Sequence, residues 1–394
     1  MSTSTGNTRS RKRPFPETNL ANDRDVQAYY KSFHDGHPVM LPFSLIGGPL
    51  AGHFPEQVIN IMRYIGKHYQ KQPLPENFIT QALSSLDSSS VSKPSGFHVQ
   101  GLTLLAICAH AHGQHDQALS IVQKAVQLAL TLDMHTEAFV SSNTHGSQHM
   151  EEMWRRLTFH NLHARWPKTL NFDDGLPSFG YRILAVHMLG RVLAHGPYSC
   201  PTGKGQNTID EIDRALSELR KQDVVQTSLR YAKNVTHFEE MIFQGKMIAN
   251  SASIYLYRPR SALITVHFDD PAFMSFFPRG FIQFAQLPSP KVHSDLLKDA
   301  AQQPLLDAAK SIARMLTSAV DSNRHSPFLV NGTILSIAVL TAARYHLKPK
   351  DPNRELYKNQ IMAALGVLKK VENTWPWTKG VRSNLGKVYK GLFP

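Results

Sequence analysis

Cysteine is nearly absent from this chain. Cys108 and Cys200 are the two in 394 residues. They are too few for a disulfide framework and cannot by themselves complete a four-ligand zinc site. Long apolar runs are also missing. The most hydrophobic stretch, 328–347, contains Asn331, Arg344 and His346, which argues for a buried helix over a membrane span. The first twenty residues are Ser/Thr-rich and then basic, with no apolar segment of the secretory kind. Strand-like alternation is scarce and no repeat of fixed period is found. These absences predict a soluble intracellular protein.

The catalytic motifs are missing too. No G-x-S-x-G, H-E-x-x-H or Cys/His dyad occurs. Thr202-Gly203-Lys204-Gly205 resembles part of a phosphate loop, but the required G-x-x-x-x-G-K-[ST] spacing fails there and at Gly47-Gly48. Asp173-Asp174 precede Gly175 and read as a turn, because adjacent carboxylates point apart in most backbones. His110, His112 and His115 invite a metal. Ligands on one helix must sit three or four apart to share a face, and these read as loop and helix-end histidines. His34 and His37, in FHDGHP, read as packing at a helix end. No catalytic residue, metal site or cofactor is therefore assigned, and the chain is not expected to be an enzyme.

What is present is positive charge and helical periodicity. The net charge is +13. Residues 345–394 carry ten Lys and Arg against Asp351, Glu355 and Glu372, a net of +7. Such an excess permits long-range attraction to nucleic acid or acidic partners without reading sequence. Residues 1–25 read as a disordered polar tail. Within it Arg9, Arg11, Lys12 and Arg13 form a candidate nuclear localisation signal. From Val26 the pattern turns helical. Phe54, Val58, Met62, Ile65 and Tyr69 make one stripe. Further helices are predicted over Val99–Ala111, Asp116–Leu132, Met150–His163, Ile183–Leu193, Ile209–Lys221, Leu305–Val320, Thr333–Leu347 and Leu356–Glu372. His112-Gly113-Gln114 is a short link that predicts an antiparallel pair. Ala118 and Ala125 after it have the spacing of a tetratricopeptide second helix, but one copy is not an array. Residues 268–287, rich in Phe and Pro, read as a long loop that pins aromatics to the core.

Asn250–Leu263, NSASIYLYRPRSAL, ends a helix whose apolar positions include Phe238, Met241, Ile242, Ile248, Ala252 and Leu256. Pro259 stops it, since proline cannot donate to the helix and restricts the residue before it. The segment resembles the "LLHRPRS" helix end in the regulatory domain of fungal zinc binuclear cluster transcription factors. Four more patches resemble that family in order. They are HDGHPVMLP at 34–42, Leu132-Asp133-Met134-His135 after Ala125 and Ala129, Glu151-Glu152-Met153-Trp154-Arg155-Arg156, and Ser326-Pro327-Phe328. Between residues 159 and 177 the chain is shorter than the family pattern, and Arg165-Trp166-Pro167 stands where Gly-Arg-Pro would.

The resemblance implies one large all-α regulatory domain over 26–394 in a nuclear regulator of transcription. By family habit it serves a secondary-metabolite gene cluster. The family reads DNA through six cysteines bridging two zinc ions, and these 394 residues cannot build that unit. Direct sequence-specific DNA binding is accordingly not expected. The implied partners are the transcription machinery or a DNA-binding protein, with a small-molecule effector and no membrane. The alternatives are a helical scaffold or adaptor, and an accessory enzyme of a biosynthetic cluster.

Overall fold

A computed structural model describes residues 19–86, 93–157, 178–195, 206–221, 240–258, 261, 263, 302–317 and 325–393. Among them are fourteen α-helices, a few short 3₁₀ turns and no strand. The basic tail with Arg9, Arg11, Lys12 and Arg13, the Asp173-Asp174 turn, the Thr202–Gly205 fragment, Cys200 and the Phe-rich loop all lie outside the described residues. The chain groups into two compact units. One comprises 1–34, 38–105 and 121–158; the other comprises 35–37, 106–120 and 159–394.

The first unit is built on α1 (Arg24–Ser32) and α2 (Glu56–Tyr69). Asp23 caps α1, accepting from the backbone N–H groups of Asp25 and Val26. The same carboxylate accepts from Arg63 of α2 at 2.7 Å, and that guanidinium helps hold it below the usual carboxylate range despite its partial burial. Gly66 lets the helices touch. A Cβ there would stand 1.8 Å from the carbonyl oxygen of Asp25. The predicted stripe lies inside, with Val58, Met62 and Ile65 buried. α3 (Phe78–Leu86) buries Ile79, Ala82 and Leu86 on one face.

Further on come α4 (Gly96–Ala111), α5 (His115–Thr131), α6 (Glu137–Ser142) and α7 (Gln148–Leu157). Trp154 of α7 is buried, stacks edge-on against Phe97 and Phe139, and donates its indole N–H to Asn143 O at 3.0 Å. Tyr30 donates its hydroxyl to Leu41 O at 2.7 Å, and Gln100 donates to Val39 O at 2.6 Å. These bonds satisfy carbonyls in the 38–42 segment that no regular element would pair. The predicted apolar face of α5 is buried only at Ala118, Ile121 and Ala125. Val122 faces solvent with Leu119, Val126 and Leu130, so the helix carries a second apolar stripe outward.

The second unit contains α8 (Ser178–His195), α9 (Gln206–Lys221), α10 (Glu240–Tyr257), α11 (Gln303–Leu316), α12 (Leu329–His346), α13 (Pro352–Val371) and α14 (Thr378–Leu392). α10 and α12 are its centre, each with fifteen of eighteen residues buried. α10 packs against α8, α9, α11 and α12. Glycine makes two of these approaches possible. A Cβ on Gly245 would meet the Tyr181 ring at 2.5 Å, and one on Gly332 would meet Met247 at 2.7 Å. Buried hydroxyls in these helices bond internally, as Ser251 to Met247 O and Thr333 to Leu329 O, both at 2.8 Å. Ser336 instead reaches Ala309 O on α11 at 2.8 Å, tying two helices.

α13 begins four residues before its predicted start. Asp351 caps it through the N–H of Asn353, and Pro352 suits the first helical position. α14 lies where no helix is predicted, and it carries Gly380, Gly386 and Gly391, which helix propensity disfavours. Its buried Val381 and Leu385, packed on α13 and α12, outweigh that bias. No helix among the described residues is long and apolar enough to cross a membrane.

Candidate functional site

The second unit holds a buried polar joint at the first turn of α10. Glu240 is 6% exposed. A carboxylate so removed from water is costly unless donors surround it. Oε2 lies 2.7 Å from Nδ1 of His325. Oε1 accepts from the backbone N–H of Ser326 at 3.1 Å and from Nε2 of Gln244 at 2.9 Å. The N-terminus of α10 adds a favourable dipole, and the nearby Arg182 adds positive charge. A carboxylate only accepts, so Nδ1 of His325 is the donor in this pair.

His325 is held on its other sides. Phe243, on α10, stacks on the imidazole with centroids 4.1 Å apart and planes 13° from parallel. Trp375 donates its indole N–H to the His325 carbonyl at 3.3 Å. Gln244 passes the network on, donating also to Gly36 O at 3.0 Å. Next to Gly36, His37 Nε2 lies 3.0 Å from Oγ of Ser326. Four separated pieces of chain therefore meet here: 36–37, 240–244, 325–326 and 375.

The arrangement sets limits on chemistry. Acyl transfer by serine needs one histidine bonded to both the nucleophile and a carboxylate. Here the serine's histidine is His37 and the carboxylate's histidine is His325, so the relay is split. Ser326 is 1% exposed and His37 2%. The joint clamps segments together.

The remaining predicted groups fall out as follows. His110 and His115 are brought together, Nδ1 to Nδ1 at 3.2 Å, beside Trp377. Burial, with the neighbouring His115, pushes His110 down to about 4. No group of three metal-binding side chains is found among the described residues. Cys108 is buried and its thiol is pushed up to about 12 by that burial, which keeps it a packing group.

The RPRS segment is a helix terminus. α10 ends at Tyr257, the N–H of Ser261 donates to Arg258 O at 3.1 Å, and the buried Ser261 hydroxyl bonds Gln302 just ahead of α11. Pro259 and Arg260 lie outside the described residues. Burial lowers the Arg258 guanidinium to about 10.

Two of the sequence patches, HDGHP and SPF, thus form one structure through His37 and Ser326. No sequence motif marks Glu240, Gln244 or Trp375. The signal available for Glu240 was an acid in the first turn of an otherwise apolar helix, which ordinarily means an exposed dipole partner.

No protein-family model and no solved structure matches the chain. Among curated proteins it is similar to the C6 finger domain transcription factor iacK of Pestalotiopsis fici. The two are 23% identical, over 94% of this chain and 59% of that protein. The chain therefore spans well under two thirds of its relative's length. With the all-helical fold, the likeness supports a relationship to the fungal transcription factor family.

Proposed function

We propose that this chain is the regulatory body of a fungal transcriptional regulator, specific to the genes of one secondary-metabolite pathway. The observation that carries the reading is a likeness to a C6 finger domain transcription factor that runs over 94% of the chain. It is supported by the structural pairing of the HDGHP and SPF patches through His37 and Ser326. The split between the serine's and the carboxylate's histidines gives an enzyme no comparable support.

The two cysteines within these residues cannot make a six-cysteine zinc unit. Base reading therefore belongs to a DNA-binding partner or to polypeptide outside these residues. The helical body contributes regulation, by favouring one arrangement of its helices when an effector or partner is bound. It works in the nucleus, carried there by Arg9, Arg11, Lys12 and Arg13.

A transcript profile of a strain lacking the gene tests this. The expected result is a coordinated fall in transcripts of several neighbouring biosynthetic genes. Unchanged transcripts with an altered product or intermediate would sink the reading in favour of an accessory enzyme. Unchanged transcripts and products, with loss of a protein complex, would favour a scaffold.

A further inference from the structure

The second unit also carries a cationic cleft that shares no lining residue with the buried joint. It has a volume of about 330 Å³ and is lined by Arg344, Arg354, Lys358, Tyr389, Leu392 and Phe393. These come from the end of α12, the first turns of α13 and the end of α14. The described lining holds three cations and no carboxylate, and Glu355 on α13 takes up Lys358, which leaves a lining balance of +2 (three minus one). Lys358 and Glu355 pair with each other at 2.8 Å. Neither arginine has a carboxylate within ion-pair distance among the described residues.

Both guanidinium groups are nonetheless fixed in place. Arg354 Nη1 donates to the carbonyls of Arg344 and Leu347, each at 2.9 Å. Arg344 donates from Nε to Arg354 O at 3.3 Å and from Nη1 to the Tyr389 hydroxyl. Its guanidinium also lies 4.0 Å from the centroid of the Phe393 ring. A guanidinium has five N–H donors in a rigid fork. Nε and Nη2 of Arg354 and Nη2 of Arg344 bond to nothing else in the described protein. The Tyr389 oxygen accepts from Arg344, which leaves its own O–H to donate. Two pre-oriented arginines with no carboxylate within ion-pair distance among the described residues, beside the Tyr389 hydroxyl, are the donor set that planar and tetrahedral oxyanions require.

We propose that this cleft binds a small organic anion, holding one carboxylate or phosphate between Arg344 and Arg354. Leu392 and the open edge of Phe393 take the apolar part of the molecule, and Lys358 supplies long-range attraction. A charge of −2 matches the local balance, as in a dicarboxylate or a phosphate monoester. The proposal stands apart from the transcriptional reading, because it rests on the cleft alone. Under that reading the anion is an effector.

Titration calorimetry on the full chain tests it, with phthalate as the carboxylate probe, phenyl phosphate as the phosphate probe, and chloride at matched ionic strength. Saturable binding of at least one probe is expected, and the better probe identifies the oxyanion. Arg354→Gln should weaken it about tenfold or more, in line with loss of a charged hydrogen bond. Tyr389→Phe and Lys358→Gln, which leave the arginine–carbonyl bonds intact, should weaken it less but measurably. Lys369→Gln with Lys370→Gln, elsewhere on α13, should leave it unchanged.

The proposal is overturned if neither probe saturates below about 10 mM. Equal weakening by the Lys369/Lys370 variant would also overturn it, since binding would then follow overall charge. So would displacement of the probe by duplex DNA whose own binding is lost on Arg354→Gln, because the cleft would then serve a polyanion.

Discussion

Nε2 of His37 lies 3.0 Å from Oγ of Ser326, 289 residues further along the chain. Each side chain belongs to a short motif with proline beside it, and neither motif explains itself. Together with Glu240 and His325 they close a buried polar joint at the start of α10. Removing either half should therefore be felt as loss of stability before any loss of chemistry.

Glu240→Ala should destabilise the fold by about 3 kcal/mol, because it strands the buried donors of His325 and Ser326. Glu240→Gln keeps the volume and one acceptor and should cost about half as much. Ser326→Ala and His37→Ala should not add, leaving a coupling near 1 kcal/mol in a double-mutant cycle. Urea denaturation of the four single variants and the His37→Ala/Ser326→Ala double variant measures all three quantities. Additive effects of Ser326→Ala and His37→Ala would show that the bond contributes nothing.

Acid should weaken the protein partly through His110. Its folded value is about 4 against 6.5 for the ordinary group. Between those values the unfolded chain binds the proton and the folded chain resists it. Stability is thus full above pH 6.5 and falls as the pH drops toward 4. The contribution is at most about 3 kcal/mol, and less to the extent that water reaches the ring. His110→Gln should flatten that part of the stability–pH curve, measured by denaturation across the range. An identical slope in the variant would assign the acid sensitivity to other groups.

Gly66→Ala and Gly245→Ala test the two closest helix approaches. At Gly66 the obstacle is the Asp25 backbone at 1.8 Å, which cannot rotate away, so α1 and α2 must separate. At Gly245 it is the Tyr181 ring at 2.5 Å, which can shift at some cost in packing. Both should destabilise, Gly66→Ala by about 3 kcal/mol or more and Gly245→Ala by about 2 kcal/mol. Melting curves of the two variants give the order, and a reversed order would mean that α1 gives way more easily than α8.

Replacing Arg9, Arg11, Lys12 and Arg13 with alanine should abolish nuclear accumulation of a fluorescent fusion while leaving its melting temperature unchanged. Undiminished nuclear signal would remove this cluster from the import mechanism.

Local periodicity was enough to find most of the helices. The stripes Val58–Met62–Ile65 in α2 and Ala308–Ile312 in α11 repeat every three to four residues, a property of one segment read alone. The stop after Tyr257 is equally local, because proline's missing N–H needs no partner to act. The burial of α12 also followed from its composition. These features, and the resemblance carried by five short patches, are properties of single segments and need no packing partner to be read.

Tertiary structure decided the rest. It chose which apolar stripe of α5 to bury and left Leu119, Val122, Val126 and Leu130 outside, which no count of apolar residues distinguishes. It overrode the glycines of α14 by burying Val381 and Leu385. It placed an acid, Glu240, in the core, where acidic side chains are ordinarily not found. The physical reason is common to all three. Burial depends on what packs opposite, and for Glu240 the compensating donors come from residues 325 and 326, far beyond any local window. The cleft between Arg344 and Arg354 is the same kind of fact, since charge is legible in the chain but which cations converge on one cleft is legible only in space.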